Sequence, residues 1–386
     1  MQRLPLVSAL FAVVVAGCAA AGTPTPNPPA AYHFSWIEMR SPTSGWALGG
    51  DHTTVYRTAD GVTWTASAAL PRIPQSAYGS ILYPVSAKKA WYAFTVSGST
   101  IGLDHTTDGG GHWSYETLPF AYIPGLKGSA PLGGPVSISF AGPEDGWLMA
   151  APGHGMSTEP GVLYRTVDGG AHWRVVASTY ASGGRPTLPF SGDISFTGPL
   201  SGWLVGSITS TSPSLLYRTA DGGAHWSEMT FPVAKSVPRD EANVLAPPVF
   251  SGALGAMAVQ FEGTPATVVY ASTTGGRSWR VAYRQRAAHD LGYQVIDIVR
   301  AKLEILAFSY DSGSSDLSRV EGAAAAIPTS TLSGHIPKRL LPIGTQISQL
   351  DFVNRDDGWV IIEQDAGESP PEVLRTTNGG KTWLRV

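Results

Sequence analysis

Tyr164-Arg-Thr-Val-Asp168-Gly-Gly-Ala-His-Trp173 and Tyr217-Arg-Thr-Ala-Asp221-Gly-Gly-Ala-His-Trp226 are one phrase written twice. Looser copies close at Trp64, Trp113, Trp279 and Trp383, so the closing tryptophans stand 49, 60, 53, 53 and 104 positions apart. The last gap is twice 52, which leaves one copy decayed. A fixed period of this size marks a repeat architecture.

Each period carries a second mark, an apolar residue followed seven positions later by Trp. Met39 to Trp46, Phe140 to Trp147, Phe196 to Trp203 and Phe352 to Trp359 are its clear copies. Phe250 to Met257 keeps the frame with Trp replaced, and Tyr83 to Trp91 reads as the frame with one insertion. Eleven of the twelve tryptophans fall on one of the two marks, so they are architectural first.

One period can be written out as structure. Val136–Phe140 is a strand, 141–146 a turn, and Trp147-Leu-Met-Ala-Ala a second strand. Gly161–Thr166 is a third, Asp168-Gly-Gly a tight turn, and Trp173-Arg-Val-Val a fourth. Short apolar runs bounded by Gly, Pro and Asp are strand signals, and no segment sustains a helical period. The expectation is an all-β fold, a seven-bladed β-propeller of four-stranded antiparallel blades over 32–386. The blades read as 33–68, 77–118, 136–178, 191–230, 246–284, 293–327 and 346–386, the sixth being the decayed one. No strand is lent across the closure, so the seam is expected to rest on the last blade packing against the first.

The N-terminal residues read as an export signal, with Arg3 as a positive start and Leu4–Ala16 as an apolar stretch too short to span a bilayer. Residues 1–17 are expected to be a signal peptide, followed by Cys18, the single cysteine of the chain. Residues 18–31 contain Thr-Pro-Thr-Pro-Asn-Pro-Pro and read as a semi-rigid extended tether. Charged residues are 14% of the chain and the formal net charge is −3, with no basic tract for nucleic acid.

The signature turn has a physical logic. Asp can accept hydrogen bonds from backbone amides two residues on, Gly takes positive φ without steric cost, and Trp covers the turn. Asp60, Asp108, Asp168 and Asp221 keep the acid, Asn378 can make the same bond, and Thr274 predicts a looser copy. Spread over separate blades, these carboxylates are not expected to converge on a metal. His112, His172 and His225 meet the same objection. No catalytic residue, metal or cofactor is assigned.

The phrase Thr-x-Asp-Gly-Gly-x-x-Trp resembles the Asp-box, the bacterial neuraminidase repeat. Val15-Ala16-Gly17-Cys18 resembles the lipobox of bacterial lipoproteins, which implies lipidation at Cys18 and a membrane anchor on the extracytoplasmic side. The body, with Gly-Trp, Leu-Tyr-Arg-Thr and Asp-Gly-Gly-x-x-Trp in its blades, looks like the photosystem II assembly factor family and its bacterial relatives. That resemblance implies a propeller acting as a binding scaffold or assembly factor without a cofactor. Sialidases also carry Asp-boxes, and Pro71-Arg72-Ile73-Pro74 is similar to their Arg-Ile-Pro motif. Here it follows the first Asp-box instead of preceding it, and Pro71 replaces the family's aromatic residue.

Within each blade the two short turns share one end, so irregular connections collect at the other, where function on a rigid scaffold usually sits. The candidate partner-binding residues there are Arg72, Tyr122, Glu159, Tyr180, Arg185, Arg239, Asp240, Glu241, Arg284 and Arg286. The first strands carry Glu38, Ser139, Ser195, Asp297 and Asp351 toward the central channel, where they either attract a cation or lock neighbouring blades by hydrogen bonds. The expected function is a membrane-anchored scaffold for a protein or cell-envelope partner. The alternative is a sialidase-like glycoside hydrolase, with Glu159 or Glu241 as the acids to test.

Overall fold

In a computed structural model, the described residues are 32–71, 80–97, 100–118, 132–152, 160–179, 187–208, 213–232, 242–261, 266–286, 294–301, 304–311, 316–320, 330–341, 345–364 and 370–386. They form an all-β propeller of antiparallel sheets, each built from consecutive strands. Sheet A contains β1 (Phe34–Ser41), β2 (Ser44–Gly49), β3 (Val55–Thr58) and β4 (Trp64–Ala66). Sheets B (Ile81–Thr117), C (Leu132–Ser178), D (Asp193–Glu228), F (Gln294–His335) and G (Thr345–Arg385) repeat this meander. Sheet E (Ala242–Arg286) does not: it has five strands.

Seven four-stranded blades were expected; among the described residues six sheets have four strands, and sheet E departs from the pattern. Its first strand is split into β17 (Ala242–Val244) and β18 (Val249–Ser251), both paired with β19 (Leu254–Phe261). Pro247 and Pro248 lie in the gap and carry no backbone N–H to continue the ladder. Several expected boundaries shift as well. β17 and β25 (Ser330–His335) lie between expected blades, and β9 (Leu132–Phe140) begins before the expected start of the third blade at 136. The sixth expected blade therefore runs past 327.

The second strand explains the packing. In sheet C, Trp147 and Met149 face the core shared with D, while Leu148 and Ala150 face the core shared with B. Successive side chains of a strand point to opposite faces, and a sheet sandwiched between two others buries both. That is why Trp-Leu-Met-Ala is a continuous apolar run and not an alternation. Phe34, Ile37, Met39, Ala47 and Trp64 of A share one core with Trp359, Ile361, Val373 and Val386 of G, so closure is by packing.

The two repeat marks meet across sheet boundaries. Trp46 of A lies edge-to-face on Trp113 of B at 6.3 Å, Trp91 of B on Trp173 of C at 6.0 Å, and Trp203 of D on Trp279 of E at 6.1 Å. In the next pair round, Trp147 Nε1 donates to Gly222 O at 2.9 Å. At Gly170 and Gly276, the second glycine of the signature turn makes room for this approach. A Cβ on Gly170, whose φ is 103°, would lie 2.2 Å from the Trp91 ring. An arginine completes the joint: Arg57, Arg165, Arg218 and Arg375 lie over Trp46, Trp147, Trp203 and Trp359 at 5.0–5.9 Å.

Candidate functional site

The two rims of the propeller differ in construction. At the rim of the signature turns, Thr166 Oγ1 accepts from Gly170 N at 2.9 Å and donates to Asp168 Oδ1 at 2.7 Å. Asp168 Oδ1 also accepts from His172 N at 2.9 Å, and Asp108 and Asp221 make the same bond to His112 N and His225 N. These amides lie four residues on, not two. Only the shorter first copy, Asp60 to Trp64, has Asp60 accepting from Val62 N at 2.8 Å and Thr63 N at 2.7 Å. Asn378 Oδ1 accepts from Thr382 N at 2.9 Å. Thr274 Oγ1 accepts from Ser278 N at 3.0 Å, so the copy expected to be looser is closed by an equivalent bond.

Charge on this rim is locally satisfied. The imidazoles of His112, His172 and His225 are exposed, each with Nδ1 2.6–2.8 Å from the Asp four residues before it. The amides of Val62 and Thr63 hold the Asp60 carboxyl down to about 2. The Asp108 carboxyl is lowered chiefly by the His112 side chain, and that of Asp168 chiefly by the His172 amide. Among the described residues, no group of three or more His, Cys, Asp and Glu could hold a metal ion.

Two residues of the row expected to face the channel, Asp351 and Ser139, are clamps between sheets, whereas Ser195 shows no such bond among the described residues. Asp351 Oδ2 accepts from Met39 N at 2.6 Å across the G–A seam, and Ser139 Oγ accepts from Phe196 N at 2.8 Å across C–D. Two residues earlier, Gln349 pairs with both Ile37 N and Ile37 O, and Ser137 Oγ accepts from Ile194 N at 3.1 Å. The Asp297 side chain lies outside the described residues. In sheet B the clamp is Tyr83, whose hydroxyl accepts from Phe140 N at 3.1 Å. Tyr83 stands opposite Trp91, and Pro84 stands where Met39, Phe140, Phe196 and Phe352 stand. The expected insertion is therefore absent: Pro84 is itself seven residues before Trp91.

Glu38 makes no such clamp, because Pro84 offers it no N–H. It pairs instead with Arg40 at 2.6 Å, while Arg40 Nη2 reaches Val85 O at 3.4 Å. Burial raises the Glu38 carboxyl above its usual range, with Arg40 opposing that rise.

At the opposite rim, a cavity of about 220 Å³ opens between sheets D and E. Leu215, Leu216, Met229, Phe231 and Ala242 form its apolar part, and Ser214, Glu228 and Thr230 its polar part. Burial first and the Glu228 carboxylate second raise the Tyr217 hydroxyl. Of the candidate partner-binding residues, Arg72, Tyr122, Glu159, Tyr180, Arg185, Arg239, Asp240 and Glu241 lie outside the described residues, as does Cys18. Arg284 and Arg286 fall at the end of a sheet E strand, with only their backbone described.

One unusual residue escaped the sequence reading. Asp104 occupies the place of Tyr56, Tyr164 and Tyr217 in the Tyr-Arg-Thr frame, and it is 0% exposed. Neither carboxylate oxygen has a hydrogen-bond partner among the described residues. The signal was there to be read, since Asp104-His105-Thr106 breaks the frame. Sheet B compensates for the missing arginine with Lys89, which lies 5.9 Å from the Trp91 ring and donates to Pro143 O and Gly169 O of sheet C.

No family model and no curated protein matches the sequence. Solved structures of similar fold include an oligogalacturonate lyase in complex with manganese, at 9% identity, 90% coverage of each chain and a TM-score of 0.56. A prolyl endopeptidase matches at 12% identity with a TM-score of 0.54, over 92% of this chain and 50% of that one. This chain thus spans half the length of that relative. A Hadza microbial sialidase matches at 15% identity over 89% of this chain and 73% of its own, with a TM-score of 0.43. At such identities the likeness is one of fold alone.

Proposed function

We propose that this protein is a binding scaffold held on the extracytoplasmic side of a bacterial membrane by lipid on Cys18. It takes a protein or cell-envelope partner on the rim opposite the signature turns. One observation carries the reading, the contrast between the rims. The Asp-box rim spends its polar groups on its own turns and on the next sheet, whereas the other rim holds the D–E cavity. No comparison supports the photosystem II assembly factor resemblance, and only its coarser part, a propeller that binds, is kept here. Among the described residues no helix is long and apolar enough to cross a membrane.

A second reading, a glycoside hydrolase, draws on Glu38. A carboxyl raised by burial beside an arginine has the character of a proton donor, although hydrolysis requires a second carboxyl across the bond.

Crosslinked pull-down from envelopes with the full chain tests the first reading. Thr230→Arg, Arg239→Ala and Glu241→Ala are expected to lose the captured partner, while Val167→Ser and Leu200→Ser on the Asp-box rim retain it. The reverse pattern sinks the choice of rim. Turnover of a fluorogenic glycoside that disappears in Glu38→Gln, Glu159→Gln or Glu241→Gln would replace the scaffold reading by the hydrolase one.

A further inference from the structure

We infer that Asp104 is a pH-sensitive latch in the seam between sheets A and B, whose ionisation loosens the seam and releases the His52 turn on the variable-loop rim. The inference rests on the seam and not on the identity of any partner.

Asp104 lies in β7 (Thr100–Thr106), in register between Tyr92 on β6 (Ala90–Ser97) and Tyr115 on β8 (Ser114–Thr117). Side chains opposite one another share a face, so Asp104 faces the core that Tyr92 shares with Trp46, Leu48 and Val55 of sheet A. A carboxylate buried there without partners is unfavourable, and the neutral acid is the form the folded seam accommodates. Desolvation accordingly raises the group to about 7.

Among the described residues, the titratable and charged groups facing it are few. From sheet B they are Tyr92 and Tyr115. From sheet A they are Arg57 and, in the β2–β3 turn, Asp51 and His52. Arg57 is engaged elsewhere, over the Trp46 ring and toward Gly109 O at 3.5 Å. Asp51 spends its carboxylate on Thr53 and Thr54. His105 and Lys89 belong to the other face, against Trp91.

Tyr92 transmits the state of the seam. Its hydroxyl donates to His52 O, and burial first, with Asp104 and Asp51 adding, raises that hydroxyl to about 12. His52 has a φ of 54°, a left-handed backbone that non-glycine residues seldom adopt and that its surroundings must hold. An ionised Asp104 is stabilised when water enters the seam. Opening the seam displaces Tyr92 and removes the donor that fixes the His52 carbonyl.

Hydrogen exchange on the full chain at pH 5.5 and 8.5, corrected for intrinsic rates, tests the latch. In the wild type, peptides covering 49–56 and 90–106 are expected to lose protection by about tenfold or more at the higher pH, relative to 202–219 in sheet D. Asp104→Asn and Asp104→Leu are expected to abolish that difference. Tyr92→Phe should leave the 90–106 response in place and unprotect 49–56 at both pH values. Equal pH responses in the A–B and D peptides of the wild type would overturn the inference. So would an unchanged response in both Asp104 variants.

Discussion

Residues of one chemical type do opposite work in this chain. The signature-turn aspartates are acceptors of backbone amides, and Asp60 is held near 2, below an ordinary carboxylate. A lowered folded-state value means stability present at neutral pH and lost as pH falls through that range. Asp104 is raised to about 7, so its contribution is full below about 4 and declines as pH climbs to 7. Denaturant unfolding of the wild type from pH 5 to 8 should therefore show a loss that Asp104→Asn lacks. Its size is on the order of a few kcal/mol at most. Thr166 offers a second check, since its buried hydroxyl accepts two amides and donates to Asp168. Thr166→Val should cost about 1–3 kcal/mol in chemical denaturation, with Thr166→Ser close to wild type.

At the scale of the element, the signature turn is a joint between sheets as much as the end of a hairpin. At Gly170 and Gly276 the absence of a side chain lets the previous sheet's tryptophan reach the backbone. Gly170→Ala would place a methyl 2.2 Å from the Trp91 ring at a φ of 103°, and should lower stability by about 2 kcal/mol or more, with a matching drop in Tm. The first strands join sheets from the inside, where a side-chain acceptor meets the next sheet's N–H. Asp351→Ala should cost about 1–3 kcal/mol, while Asp351→Asn keeps the acceptor and most of the stability. Much of this was visible in the chain. The spacing of Trp and Gly placed the strands, and the Glu38 to Asp351 row was read as either ligand-facing or clamping. Proline was the blind spot, because its effect depends on which partner loses an N–H. Pro84 removes the donor Glu38 would have used, and Pro247-Pro248 splits a first strand in two.

For the whole molecule, closure is the distinctive feature. Every sheet is built from consecutive strands, and A meets G through a packed core and the Gln349 and Asp351 clamps. The A–G boundary is thus of the same kind as the others. A circular permutant that joins the termini by a flexible linker and opens within 119–131 should keep every sheet intact and melt within a few degrees of wild type. A large fall in Tm or loss of cooperative unfolding would show that chain order itself stabilises the ring. The repeat period, the strand and turn sequence of each unit, and the architectural role of the tryptophans were determined by the sequence alone, because hairpins are local and their glycine, aspartate and proline requirements are written in adjacent residues. Which sheets keep four strands, which side chains clamp across a seam, and that Asp104 is sealed in an apolar interface were decided only by tertiary structure. Those outcomes depend on the neighbour a side chain meets some fifty residues away, and burial, not residue type, sets whether a carboxyl is a surface acceptor or a latent charge.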